Sequence, residues 1–227
     1  MLGKSISKNS LLLALFALVS AAVLAGLHES TKERINQQIR AASQRALFEI
    51  VPQSQHDNDL LGDTLPLPED AWRALGLKQS GNMHIARKNG EIIAVILPAV
   101  APDGYSGDIS MIVGVNRDGS LAGVRVLVHH ETPGLGDRIE LKKSDWILGF
   151  AGKSLQNPAA DHWKVKKDGG EFDQFTGATI TPRAVVHQVK RVLEYVKAEE
   201  ARLFPSAETT AELNDLTDLT DGETHHE

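Results

Sequence analysis

Residues 109–128 read ISMIVGVNRDGSLAGVRVLV, two β-rich runs around Asp118-Gly119. In the second run Val124, Val126 and Val128 recur at every other position and therefore share one face of a strand. An Asp-Gly pair between such runs is a hairpin signal. The same grammar occurs upstream, where 83–97 holds two apolar-rich runs around Asn89-Gly90. Downstream, Asp168-Gly169-Gly170 predicts a third turn, joining Trp163-Lys164-Val165 to Glu171-Phe172.

Working outward, the period changes from two to that of a helix. Val185, Val189, Val192 and Val196 form one stripe, with Thr181 as the expected N-cap and Pro182 as the first helical residue. Ser144-Asp145-Trp146 opens a shorter helix in the same way. These elements predict an α+β domain: a mainly antiparallel, twisted sheet with flanking helices. Residues 58–69 (NDLLGDTLPLPE) carry two prolines in an X-Pro-X-Pro context and read as a linker, so the core domain is expected at 70–204. The Thr/Glu/Asp-rich stretch 205–227 lacks apolar periodicity and is expected to be disordered.

Before the domain, 11–27 (LLLALFALVSAAVLAGL) holds no charge and is ~26 Å long as a helix, nearly the thickness of a bilayer core. The expectation is one transmembrane helix within residues 1–28. A cleaved signal peptide is the competing reading, because Lys4 and Lys8 precede the run and Val23-Leu24-Ala25 resembles a cleavage site. Ser30-Thr31-Lys32-Glu33 has the form of a capping box and argues for a second, stalk helix in 29–69, with Ile35, Ile39, Ala42, Ala46 and Ile50 at helical spacing. Lys4 and Lys8 before the span face Lys32, Arg34 and Arg40 after it, so charge leaves its orientation open.

The net charge of −6 is concentrated in the tail, because no Lys or Arg follows Phe204 while acids recur from Glu208 to Glu227. The body is nearly neutral and offers no clustered basic face for nucleic acid. With Cys 0 in the composition, disulfides, Fe–S clusters and thiolate zinc sites within the chain are excluded. Gly152-Lys153-Ser154 imitates the end of a P-loop, but the required earlier glycine position is Ile147. His129 and His130 are adjacent and would point to opposite faces of a strand, poor geometry for one metal. Glu131, Asp137 and Glu140 have no nucleophile paired with them. No catalytic and no metal residues are expected.

Two segments remain. One is Asp173-Gln174-Phe175-Thr176-Gly177-Ala178-Thr179; the other is His129-His130-Glu131-Thr132-Pro133-Gly134-Leu135-Gly136. Read on their own residues, the first is suited to hold a phosphate: Thr179 lies at a helix start, where free N–H groups and the positive dipole end gather, beside the bare backbone of Gly177 and Ala178. In the second, two glycines allow close backbone approach and Leu135 offers an apolar contact to a ring. Each alone is also compatible with an ordinary turn.

Together the segments resemble the FMN-binding domain of the G subunits of the Rnf (Rsx) ion-translocating electron transport complex, related to the C subunit of the sodium-pumping NADH:quinone oxidoreductase. The first fits that family's flavinylation pattern D-x-x-[ST]-G-A-[ST], and the second its H-x-E-T-P-G-L-G loop. Gly104-Tyr105-Ser106-Gly107 and Trp146 also fall where the family has them. The Thr-Ile-Thr-Pro continuation and the shorter chain favour the Rnf branch.

The resemblance implies FMN joined through its phosphate to Thr179, with Thr176, Gly177, Ala178, Asp173, Glu131, Thr132, Gly134, Leu135 and Gly136 around it. It implies a flavin transferase during maturation, the other complex subunits and, through 11–27, membrane lipid as partners. It also implies a bacterial inner-membrane, single-pass protein with its domain in the periplasm. The chain alone would turn over no substrate; its role would be electron relay within a redox-driven ion translocase. The competing class is a cofactor-free membrane-anchored scaffold subunit.

Overall fold

The computed structural model describes residues 2–205, so the acidic tail lies outside the described residues apart from Pro205. The chain divides into two compact units, Met1–Ala42 and Ser43–Glu227.

In the first unit the backbone is helical throughout its described part, as the beginning of helix α1 (Leu2–Ile50). The capping-box residues at 30–33 do not open a new helix there; the helix runs through them, since no Pro interrupts it and Ser, Thr and Glu are tolerated in helix interiors at modest cost. Among the described residues no helix is long and apolar enough to cross a membrane. The span expected at 11–27 is therefore not shown among the described residues. Leu11, Phe16 and Leu24 nevertheless stand exposed along it.

The second unit is built on a five-stranded antiparallel meander in the order β1 (Thr64–Pro66), β2 (Asn82–Lys88), β3 (Glu91–Gly104), β4 (Gly107–Asn116), β5 (Leu121–Val128). Asn89 and Gly90 connect β2 to β3 with φ of 54° and 83°, the left-handed pair that a two-residue hairpin loop requires. Residues 64–66, expected in a linker, instead pair with His84, Met83 and Asn82 as an edge strand. An edge position accommodates Pro66 because no second strand needs its missing N–H. The Asp168-Gly169-Gly170 turn does not close a hairpin. Val165 and Phe172 meet in a parallel bridge, and 166–168 coil into a short 3₁₀ turn.

Alternation along the strands buries both sheet faces. Val95, Leu97, Met111 and Val113 lie in the larger core with Ala71 and Leu75 of the short helix α2 (Glu69–Leu75) and with Val185, Val189, Val192 and Val196 of helix α3 (Ile180–Ala198), the last four being the stripe read from sequence. Ala94, Ile96 and Ile112 point the other way, onto Ala46, Leu47 and Ile50 of the α1 terminus. Ala46 and Ile50 thus fulfil their periodic pattern, while the side chains of Ile35, Ile39 and Ala42 lie outside the described residues. Burying each α3 valine contributes ~1.5–3 kcal/mol before entropy is deducted. That packing holds the N-terminus of α3 against the β3–β4 end of the sheet.

Candidate functional site

The two motif segments meet at the start of α3. A cavity of about 280 Å³ is lined by Tyr105, Glu131, Thr132, Leu135, Gly136, Gly177, Ala178, Thr179, Ile180 and Thr181. Its parts come from three places: the β3–β4 hairpin tip, the loop after β5, and the turn into α3.

The loop after β5 is stiffened by its own polar groups. The N–H groups of Leu135 and Gly136 both donate to the Thr132 carbonyl at 3.1 Å. The Gly134 N–H donates to Asp137 Oδ1 at 2.8 Å, with Gly134 at φ 77°. His129 Nδ1 accepts the Glu131 N–H at 3.0 Å, which leaves Nε2 as the protonated nitrogen, 2.7 Å from Glu140 Oε1. Leu135 is thereby held out at 42% exposure, beside the cavity.

The motif turn is shaped by Gly177, whose φ of 82° suits glycine, and by the Ala178 N–H donating to the Phe175 carbonyl at 3.1 Å. A Cβ at Gly177 would rest at an ordinary 3.6 Å from Leu135 Cδ2, so glycine is needed there for conformation rather than for space. Phe175 is buried against Trp146, whose indole N–H donates to the Asp173 carbonyl at 2.8 Å. Trp146 therefore braces the turn from behind, half-buried at the edge of the core. The expected Ser144 cap is present, its hydroxyl accepting the Trp146 N–H at 3.1 Å.

Helix α3 begins earlier than the pattern predicted. Thr179, not Thr181, occupies the N-cap position, and its hydroxyl makes no capping hydrogen bond. Thr181 is buried inside the first turn and gives its hydroxyl hydrogen to Glu131 Oε2. The N-cap role expected of Thr181 is overturned because the helix has already begun at Ile180, which places Thr181 inside its first turn with its hydroxyl facing the Glu131 carboxylate. Thr179 is left half-exposed on the cavity wall, with its hydroxyl available and its carbonyl accepting the Arg183 N–H at 3.3 Å. Arg183 in turn forks onto Asp168 at 2.6 and 2.9 Å and holds that carboxyl below the usual carboxylate range.

Of the residues singled out from sequence, Thr179, Gly177, Ala178, Glu131, Thr132, Leu135 and Gly136 line one cavity. Three do not. Asp173 turns its carboxylate outward to Lys166 at 2.6 Å, Thr176 is exposed on the turn, and Gly134 shapes the loop without facing the cavity. Tyr105 and Ile180 are lining residues that the motif reading did not select, exposed at 67% and 44%. The signal for Ile180 was its place directly after Thr179; that for Tyr105 was its Gly-flanked turn.

Residues 104–194 match the family model described as FMN-binding domain, and residues 1–50 match that described as RnfG N-terminal region. The ion-translocating oxidoreductase complex G subunit of Pseudomonas aeruginosa is 51% identical over 205 residues, 90% of this chain and 95% of the relative. The proteins of the same name from Vibrio atlanticus and Vibrio cholerae are 50% and 45% identical, each covering 88% of this chain and 94% of the relative. Fold, motif geometry and similarity along most of its length agree: this chain belongs to the family of G subunits of the ion-translocating oxidoreductase complex.

Proposed function

We propose that the chain is the electron-carrier subunit of a membrane-bound, ion-translocating oxidoreductase complex, and that it carries FMN as a phosphoester on Thr179. One observation carries the attachment point: the Thr179 hydroxyl has no capping duty and lies on the wall of the cavity that the loop 131–136 also lines. The residues present fit the cofactor. The first N–H groups of α3 have no intrahelical acceptor and suit a phosphate, while Leu135, Ile180 and Tyr105 offer exposed apolar surface to a ring system. Bound there, the flavin supplies the redox chemistry; the chain supplies position and electrostatics.

In this reading residues 70–204, together with the edge strand at 64–66, form the flavin domain, with Thr176 and Asp173 on its outer rim, where a flavin transferase can reach the turn. Residues 11–27 anchor the chain in the bacterial inner membrane as a single span, supported by the exposed Leu11, Phe16 and Leu24. The domain then lies on the periplasmic side, among the other members of the complex. In-gel flavin fluorescence after denaturing electrophoresis tests the proposal. The wild-type chain is expected to fluoresce and Thr179→Ala to stay dark while remaining folded; a dark wild-type band from cells able to flavinylate would contradict it.

A further inference from the structure

We infer that Glu131 sets the charge of the site: its buried carboxylate opposes the arrival of electrons and lowers the reduction potential of the flavin. The inference rests on the flavin reading above.

Glu131 is only 4% exposed, yet it lines the cavity together with Thr179. Its two oxygens both act as acceptors, Oε1 from the Ser106 N–H at 2.9 Å and Oε2 from the Thr181 hydroxyl. That acceptor-only pattern is the one an ionised carboxylate makes. Among the described residues no cation neutralises it. Lys143 goes to Asp137, and His129 spends its Nε2 proton on Glu140 while its Nδ1 carries none. The molecule also clears space for this group. A Cβ at Gly104 would stand 2.9 Å from Glu131 Oε1, and one at Gly136 would stand 2.9 Å from Oε2. A buried polar group held this closely, without a counter-charge, projects a weakly screened negative field into the cavity.

Hydrogen bonding alone does not require the charge. A glutamine at 131 would accept the Ser106 N–H through its oxygen and donate its amide N–H to the Thr181 hydroxyl, which is free to rotate. Glu131→Gln therefore removes the charge and keeps the contacts, whereas Glu131→Asp keeps the charge.

The test uses full-length, membrane-purified protein as wild type, Glu131→Gln and Glu131→Asp. Intact mass reports attachment and spectroelectrochemical titration reports the flavin potential. All three chains are expected to carry flavin. The Gln variant should titrate at a more positive potential, by about a tenfold change in the one-electron equilibrium, ~59 mV. The Asp variant should stay nearer the wild type. A Gln variant with unchanged potential, an Asp variant shifted as far as Gln, or a Gln chain without flavin overturns the inference. Should the Gln chain fail to fold, Thr181→Val keeps the charge and must not raise the potential; a rise overturns the inference as well. Absence of flavin from the wild type would be seen in the mass and would bring down the functional reading itself.

Discussion

Thr181, in the first turn of α3, donates its hydroxyl hydrogen to Glu131, 50 residues earlier in the chain. This bond clasps the loop after β5 to the helix that presents Thr179, and its loss is the most local perturbation available. Thr181→Ala leaves a buried carboxylate oxygen without its donor, at a cost of ~1–3 kcal/mol. Thr181→Ser retains the hydroxyl and should recover most of that. Urea denaturation of the three chains measures it, and equal stability of Ala and wild type would remove the clasp. Flavin attachment should survive in both variants, because Thr179 is untouched.

Gly134 and Gly136 sit two residues apart but should fail differently. A Cβ at Gly136 would meet Thr181 Oγ1 at 2.8 Å and Glu131 at 2.9 Å, so Gly136→Ala forces the clasp apart and should cost ~1–3 kcal/mol. Gly134 has open space around it but a φ of 77°, so Gly134→Ala meets only backbone strain, ~1 kcal/mol. Thermal unfolding ranks them. A flavin absorbance change is expected for the Gly136 variant above all, and wild-type spectra and stability in that variant would count against the geometry.

On the opposite sheet face, a Cβ at Gly114 would collide with Ile50 Cγ2 at the end of α1. Gly114→Ala should destabilise the domain by ~1–3 kcal/mol through overpacking. Ile50→Ala alone should cost ~2–5 kcal/mol, and combining the two should be less damaging than their sum, since removing Cγ2 makes room. Strict additivity in denaturation experiments would mean the two residues do not touch.

On the proposed reading one span precedes the flavin domain and the domain lies on the periplasmic side. Alkaline phosphatase fused after Glu227 should be active, and a fluorescent protein that matures only in the cytoplasm should stay dark at the same point. The reverse pattern would place the domain on the other side of the membrane.

Much of this architecture was legible in residues. Asn89-Gly90 and Asp118-Gly119 marked their hairpins because the left-handed positions, Asn89 and Gly90 in the first and Gly119 in the second, demand such residues, and the valine stripe of α3 marked its buried face because helical spacing permits few alternatives. Strand β1 was hidden by Pro66 and Pro68, which signal a linker unless the strand lies at an edge. The parallel bridge between Val165 and Phe172 has no local signal at all, since the Asp-Gly-Gly turn between them predicts the opposite pairing.

The site was legible in the same uneven way. Seven of its lining residues stood in two contiguous motifs, but which threonine caps α3 was decided by tertiary structure. Thr-Ile-Thr offers two hydroxyls, and only the fold brings Glu131 within reach of the second. Tyr105 was marked only by its Gly-flanked turn, and its place in the cavity was not legible because its neighbours there lie on distant segments.

Peptide mapping of the purified full-length chain by mass spectrometry reads the attachment site directly. One modified peptide spanning the 173–181 turn is expected, heavier by one esterified FMN, with fragmentation assigning the adduct to Thr179 and Thr179→Ala yielding only the unmodified peptide. An adduct on Thr176 or Thr181, or covalent flavin persisting in Thr179→Ala, would contradict it.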